Sequence, residues 1–478
     1  MGLFAAAKVH NANDYINAGR NLPMSVVLAM VFATWFGAET VLGNSGAFLK
    51  KDGGVTALLS DPLGAGVCLI LFGLVFARPL YRMNLVTLGD FFRRRYNRGT
   101  ELVLSICIVV SYLGWVSAQI TALGLVFDLL SGGIIDRNTG MIIGSAVVLL
   151  YTLFGGMWSV AVTTFVQMIV IILGLLYITW IANDMAGGFT PVINHAIQAG
   201  KFDVSFSFSR ETFGWIALFF TMALGSIPQQ DVFQRVNSSK NERTAVWGTT
   251  LGGIFYVIFA VVPIYLAYTA LIIDPEMVKA IAAVDEKMQK VMPRLVMDHM
   301  SFPSQVVFFG ALLSVIMSTA SGTLLAPSVT FSENVLRGFY PRMTDRQFLW
   351  VTRVTVVVFT VLVTLYAIVT DSSIHEMVVN AYRITLAAAL VPLVAGIFWK
   401  RANNLGGALS VGLGLTFWIV GEVLIHKGII SNILEPQMYG LFASFAGMML
   451  GVVFGAPASQ KMNPDTEQLS HYVQEAGS

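Results

Sequence analysis

Four ionisable side chains stand inside or beside long apolar runs: Glu39, Asp61, Asp231 and Arg383. A charge among apolar residues is costly unless it faces protein or water, or meets an opposite charge. Such groups are kept for binding or for pairing. Arg383 has the fork of donors that grips a carboxylate in two places. It is equally able to neutralise Asp61, Asp231 or Glu39 in a structural ion pair. Ser318 and Thr319, in Val315-Ile-Met-Ser-Thr-Ala-Ser321, offer oxygens of the kind a hard cation such as sodium takes. Hydroxyls in apolar helices also bond back to their own backbone or across to a neighbour, and both readings stay open at this point.

Nothing here is arranged for covalent chemistry. His10, His195, His299, His375, His426 and His471 fall in loops, helix ends or tails, so none is placed for a metal site or proton relay within a membrane. No HExxH, P-loop or nucleophile-elbow pattern occurs. Cys68 and Cys107 lie within apolar runs and read as buried thiols rather than a disulfide framework. The expected chemistry is binding and movement, with no catalytic residues and no organic cofactor.

The elements that must position these groups are membrane helices. Of 478 residues, 56% are hydrophobic and 12% charged, against about 25% charged in soluble domains. A net charge of +2 is too small to suggest a nucleic-acid partner. Apolar stretches long enough to cross a bilayer recur, giving twelve segments near 24–47, 57–82, 101–131, 139–155, 159–185, 212–236, 244–273, 303–334, 348–370, 374–399, 405–426 and 437–456. Short polar turns such as Gly155-Gly156 and Lys400–Asn403 join several neighbours. The expected organisation is an N-terminal segment over 1–23, one transmembrane domain over 24–456 and a tail over 457–478. Alternate loops are basic, through Arg82, Arg93, Arg94, Arg95 and Arg98, then Arg235, Lys240 and Arg243, then Arg337, Arg342 and Arg346, then Lys400 and Arg401. By the positive-inside rule both termini are cytoplasmic, in a multi-pass protein of the cell membrane. Between the seventh and eighth segments, Met277, Ile281, Val284, Met288 and Val291 predict an amphipathic helix within Asp274–His299, over the outer mouth.

Two segments are interrupted. The first reads Met30-Val-Phe-Ala-Thr-Trp-Phe-Gly-Ala-Glu-Thr-Val-Leu-Gly-Asn-Ser-Gly46, and the sixth Leu224-Gly-Ser-Ile-Pro-Gln-Gln-Asp-Val-Phe-Gln-Arg235. Pro228 removes a backbone donor and Gly225 loosens the turn before it. Freed carbonyls and half-helix ends then become ligands for a cation or a substrate. A matched pair of broken spans, five helices apart, points to the midplane site of a transporter built from inverted repeats.

With these residues in view, the chain resembles the sodium:solute symporter family over nearly its whole length, and within it the high-affinity choline transporters and their bacterial relatives. The matching stretches are Ala33-Thr34-Trp35 with Gly37, Phe76-Ala77-Arg78-Pro79 with Val86-Thr87-Leu88, Tyr151-Thr152-Leu153-Phe154-Gly155-Gly156 with Ser159-Val160-Ala161 and Gln167, and Gly225-Ser226-Ile227-Pro228-Gln229-Gln230 with Phe233-Gln234-Arg235-Val236. The resemblance implies an all-α polytopic membrane protein with the five-plus-five inverted-repeat, leucine-transporter-like fold and two extra C-terminal helices. Family members usually carry one more helix at the amino terminus, and Gly2–Asn13 resembles only its cytoplasmic end. The resemblance also implies a sodium ion as coupling ion, held by Ala33, Phe36, Val315, Ser318 and Thr319. Where many relatives have an aspartate this chain has Thr164, so one sodium per cycle is expected.

Trp35 and Trp115 match two cage tryptophans of the choline-transporting relatives, whose ring faces attract a quaternary ammonium. The third cage position is Gln229, an amide that hydrogen-bonds a polar solute but offers no ring face. Together with Glu39, Asp61, Asp231 and Arg383, these residues leave the small organic solute open between a quaternary amine, a zwitterion and a carboxylate. The expected function is sodium-coupled symport across the lipid bilayer. A ligand sensor with a transporter fold and a cation channel are the alternatives, the latter without a repeated filter motif or charged ring in its favour.

Overall fold

The first expected segment is two helices, Met24–Trp35 and Glu39–Leu49, which meet at a bend of 50°. Phe36 leaves helical geometry between them (φ −85°, ψ 71°), and its amide is bonded to the Phe32 carbonyl at 2.8 Å. A computed structural model describes residues 8–204, 209–284, 288–429 and 434–456. Eight further helices are each long and apolar enough to cross a membrane: Val55–Arg82, Arg98–Leu130, Thr152–Met185, Glu242–Ile273, Phe302–Phe339, Asp345–Val369, Asn404–His426 and Pro436–Phe454. A bent pair, Ile374–Ala388 with Leu390–Phe398, crosses as one. The remaining two expected segments are the shorter Arg137–Leu150 and the broken pair Arg210–Gly225 and Gln230–Asn237. In chain order these are spans 1 to 12. The multi-pass membrane architecture read from the sequence is thus present, with its two interruptions in spans 1 and 6.

Local chemistry sets the ends of these helices. Side-chain oxygens of Asn97, Asn241 and Asn403 accept the amides of Thr100, Thr244 and Gly406 at 2.8–2.9 Å, starting spans 3, 7 and 11. The helical stretch Arg137–Met185, which carries spans 4 and 5, is broken into two helices at Gly156 (φ 49°, ψ −141°), close to where the two spans meet. A side chain at Gly156 would sit 2.4 Å from the Tyr15 carbonyl, so only glycine fits both the dihedral and the space. The bend in span 10 was not foreseen. Pro392 lies four residues after Ala388 and cannot donate to its carbonyl, which frees the chain to turn there.

Span 8 packs against spans 1, 3, 5 and 9, and the second half of span 6 against spans 1, 7 and 8. Spans 11 and 12 form a closely packed pair beside span 10. The chain before span 1 is tied to the end of span 6: the Leu22 amide donates to the Ser238 carbonyl (3.1 Å) and the Lys240 amide to the Leu22 carbonyl (3.0 Å). Arg78 and Arg82 both reach Glu242, at 2.9 and 2.7 Å, so the loops after spans 2 and 6 share that end of the bundle.

The amphipathic helix expected within Asp274–His299 is instead two helices, Pro275–Val284 and Val291–His299. Asp274 clasps them together, accepting the Met277 amide at 2.9 Å and meeting His299 Nε2 at 2.8 Å. Pro293 sits in the first turn of the second helix, where its missing N–H breaks no intrahelical bond. Asp285, Glu286 and Lys287 of that stretch, and the tail expected over 457–478, lie outside the described residues.

Candidate sodium and solute sites

The end of the first half of span 1 faces the middle of span 8. Ser318 Oγ lies 2.8 Å from the Ala33 carbonyl and 2.8 Å from the Val315 carbonyl, and Thr319 Oγ1 lies 3.2 Å from Ala33. All of these residues are buried. Four of the five residues expected to ligate sodium therefore come together. The fifth, Phe36, stands at the break itself, where its dihedrals take its carbonyl out of the helical series. Carbonyl and hydroxyl oxygens clustered at a helix break, away from lipid, are a donor set that suits a hard monovalent cation. Thr164 is buried with a hydroxyl that finds no partner among the described residues; it supplies no carboxylate.

Four rings meet next to this cluster. Trp35 and Trp115 stand edge to face, with centroids 5.4 Å apart. Tyr382 stacks on Trp35 at 6.2 Å and meets Trp115 at 5.6 Å, while Tyr112 stacks on Trp115 at 5.9 Å. Their polar edges are held by two carboxylates at corresponding places, each in the first turn after a break, where a negative group complements the helix dipole. Asp231, on the second half of span 6, accepts Trp35 Nε1 at 2.9 Å and the Tyr112 hydroxyl at 2.6 Å. Glu39, on the second half of span 1, accepts Trp115 Nε1 at 3.0 Å and Gln119 Nε2 at 2.7 Å. Such bonds each contribute about 0.5–3 kcal/mol, depending on the charge of the acceptor, and hold both indoles in one orientation.

Asp61 extends this polar wall. It accepts the Asn44 side-chain amide at 2.7 Å and the Tyr256 hydroxyl. Tyr256 in turn contacts Thr40 Oγ1 at 3.0 Å, and Asn44 contacts His375 Nδ1 at 3.0 Å. Glu39 and Asp61 are 3% and 2% exposed, and neither enters an ion pair among the described residues. Asp231 does, with Arg235 Nη1 at 3.9 Å.

Gln229 begins the second half of span 6 and donates to Ser111 Oγ at 3.0 Å and Thr385 Oγ1 at 3.4 Å, bringing spans 3, 6 and 10 together. Arg383, expected beside the solute, is turned away from the rings. Its guanidinium lies 3.0 Å from Glu422 on span 11 and 3.5 Å from Glu435 at the start of span 12, not on Asp61, Asp231 or Glu39. Successive helical residues point about 100° apart, so Tyr382 faces the tryptophans while its neighbour faces the outer pair of helices. Tyr112, Gln119, Tyr382 and Tyr256 are among the contributors that the sequence reading does not name. The first two stand three before and four after Trp115, on its face of the helix, and that spacing was a legible signal. Tyr256 and Tyr382 carry no such mark.

The arrangement has known counterparts. The model of the sodium:solute symporter family matches residues 15–414. The human high affinity choline transporter 1 is 28% identical over 447 residues, covering 88% of this chain and 74% of the relative. The osmoregulated proline transporter OpuE of Bacillus subtilis is 24% identical, covering 96% and 93%. Among solved structures, a sodium-coupled sialic acid symporter in a substrate-bound outward-open state superposes with a TM-score of 0.78 at 18% identity, covering 96% of both chains. A nucleobase-cation-symport-1 family transporter in a closed conformation superposes with a TM-score of 0.61 at 12% identity, covering 92% of this chain and 93% of that one. The fold is the leucine-transporter-like one that the family resemblance implies. The chain belongs to the sodium:solute symporter family and works by sodium-coupled solute symport.

Proposed function

We propose that the solute is a small organic cation, a quaternary or protonated amine, held against Trp35, Trp115, Tyr112 and Tyr382. Gln229, Ser111 and Thr385 receive its polar end. The observation that carries this reading is the charge balance around the rings. Glu39 and Asp61 are buried without a cationic partner among the described residues, and Arg383, the group suited to a carboxylate, is engaged by Glu422 and Glu435. Ring faces and uncompensated carboxylates both favour positive charge, and cation–π contacts contribute about 2 kcal/mol when desolvated. The choline transport named for the human relative is consistent with this class of solute.

Sodium occupies the oxygens of Ala33, Phe36, Val315, Ser318 and Thr319 in this proposal. Spans 1 and 6 carry the broken halves, and rocking of their bundle against spans 3 and 8 exposes the solute to each side in turn. The transporter domain is residues 24–456, and one sodium moves per cycle. The basic loops after spans 2 and 6, gathered at one end with the chain before span 1, support a cytoplasmic amino terminus in the cell membrane.

The test compares choline with its neutral carbon isostere 3,3-dimethylbutan-1-ol in equilibrium binding to purified protein in sodium chloride. The cation is expected to bind at least about tenfold tighter, the equivalent of 1.4 kcal/mol. Equal affinities, or tighter binding of a zwitterion such as proline, would overturn the assignment.

A further inference from the structure

Thr34 stands between two functional neighbours in the sequence. Ala33 before it offers the carbonyl that both span 8 hydroxyls reach, and Trp35 after it is a wall of the aromatic cage. The Thr34 hydroxyl accepts two donors from Arg235, Nε at 3.2 Å and Nη2 at 2.8 Å. Arg235 is 0% exposed. Its Nη1 donates to the Asp231 carbonyl at 2.5 Å and lies 3.9 Å from the Asp231 carboxylate. That same carboxylate holds the Trp35 indole and the Tyr112 hydroxyl.

The other flank of the guanidinium abuts span 8. A side chain at Gly322 would meet Arg235 Nη2 at 2.3 Å and the Thr34 side chain at 3.3 Å. Gly322 lies three and four residues beyond Thr319 and Ser318, so it shares their face of the helix, about one 5.4 Å turn away. The guanidinium is thus wedged between the end of span 1 and the sodium-facing stripe of span 8, and it is bonded onward to the break in span 6.

We propose that Thr34 and Arg235 form the joint through which sodium occupancy sets the geometry of the solute cage. The proposal rests on the sodium site assigned above. A sodium ion bound by Ala33 and span 8 fixes the last turn of the first half of span 1. Thr34 is then fixed, and with it the guanidinium, the Asp231 carboxylate and the two rings that carboxylate holds. When the last turn of span 1 shifts, the guanidinium follows the Thr34 hydroxyl and draws Asp231 away from the Trp35 indole. By linkage, a solute that orders the rings also favours sodium. Arg235 is a positioning residue here, bridging the two sites rather than belonging to either. Its planar fork of donors meets a hydroxyl on one side and a carbonyl on the other, which a single ammonium does not reproduce. A guanidinium serving only to neutralise Asp231 would not need Thr34 or the close approach at Gly322.

The experiment is hydrogen–deuterium exchange read by mass spectrometry on the purified full chain, in sodium chloride against potassium chloride, with no solute. In the wild type, sodium is expected to slow exchange both at 315–322 and at 229–236, by roughly fivefold or more, the lower end of ordinary coupling free energies. In Thr34→Val, protection at 315–322 persists while protection at 229–236 is lost, and Thr34→Ser restores it. If Thr34→Val does not fold, Arg235→Lys carries the same test with the same expectation. Equal sodium protection of both stretches in these variants would overturn the joint while leaving the sodium site standing. Absence of protection at 315–322 in the wild type would overturn the sodium site and the joint with it.

Discussion

Arg383 Nη1 lies 3.0 Å from Glu422 Oε1, a pairing that joins span 10 to span 11 and turns the guanidinium away from the tryptophans. Side-chain exposures of 22% and 40% place the pair in partial contact with its surroundings, where such bonds are worth about 0–1 kcal/mol. Arg383→Leu should therefore lower the unfolding midpoint by a few degrees at most, about 2–4 °C per kcal/mol for a chain of moderate size. Solute affinity should change little. Loss of solute binding at an unchanged midpoint would return Arg383 to the solute site.

Ser318→Ala with Thr319→Ala removes both hydroxyls that reach the Ala33 carbonyl. The variant should fold and lose its stabilisation by sodium, a term of about 2.7 kcal/mol for any ligand at a hundred times its dissociation constant. Thermal unfolding across a sodium titration reads this directly. A double variant that sodium still stabilises as it does the wild type would move the ion elsewhere.

Trp115 contributes both a ring face and a bond to Glu39. Trp115→Phe keeps a face and loses the bond, so it should weaken binding of a cationic solute by about tenfold, one bond to a charged group. Trp115→Leu removes both and should cost considerably more. Equal effects of the two substitutions on affinity would show that ring electrostatics play no part.

Gly156, near the junction of spans 4 and 5, takes a left-handed dihedral against Tyr15. Gly156→Ala should destabilise by about 1–3 kcal/mol from backbone strain alone, with the steric conflict at the Tyr15 carbonyl added to it. The midpoint of thermal unfolding checks this, and an unchanged midpoint would mean that the kink relaxes.

Outside the membrane-spanning segments, the Met277 amide and His299 hold the Asp274 carboxyl below the usual carboxylate range. A depressed folded value means that the contribution is present above the unfolded value of about 3.9 and is lost as pH falls through the lower folded one. Asp274→Asn should therefore flatten the acid limb of a stability profile and leave its neutral limb parallel to the wild type. An acid limb unchanged in slope would deny Asp274 that role.

Broken helices announce themselves in sequence when glycine, proline and a charge coincide, which is why Gly37 with Glu39 and Gly225 with Pro228 marked spans 1 and 6. The span 10 bend depended on Pro392 acting four residues upstream, a weaker signal inside an apolar run. The residues proposed for sodium, Ala33, Val315, Ser318 and Thr319, were named through the family's motifs, because backbone carbonyls carry no side-chain signature of their own. What stayed hidden was the direction in which a helical residue points. Arg383 and Tyr382 are adjacent in sequence yet face different partners. Glu422 and Glu435 lie 39 and 52 positions beyond Arg383 and became its partners only through the packing of spans 11 and 12. Tyr382 stayed hidden for the same reason, since an aromatic in an apolar helix is ordinary until its neighbours are known.

The most direct test of the central claim is thermal unfolding of the purified protein in sodium chloride and in potassium chloride, each crossed with choline, proline, sugars and organic acids. Sodium alone should raise the midpoint, and an amine cation should raise it further only in sodium. Stabilisation by such a solute to the same extent in potassium would contradict sodium-coupled binding at the junction of spans 1, 6 and 8.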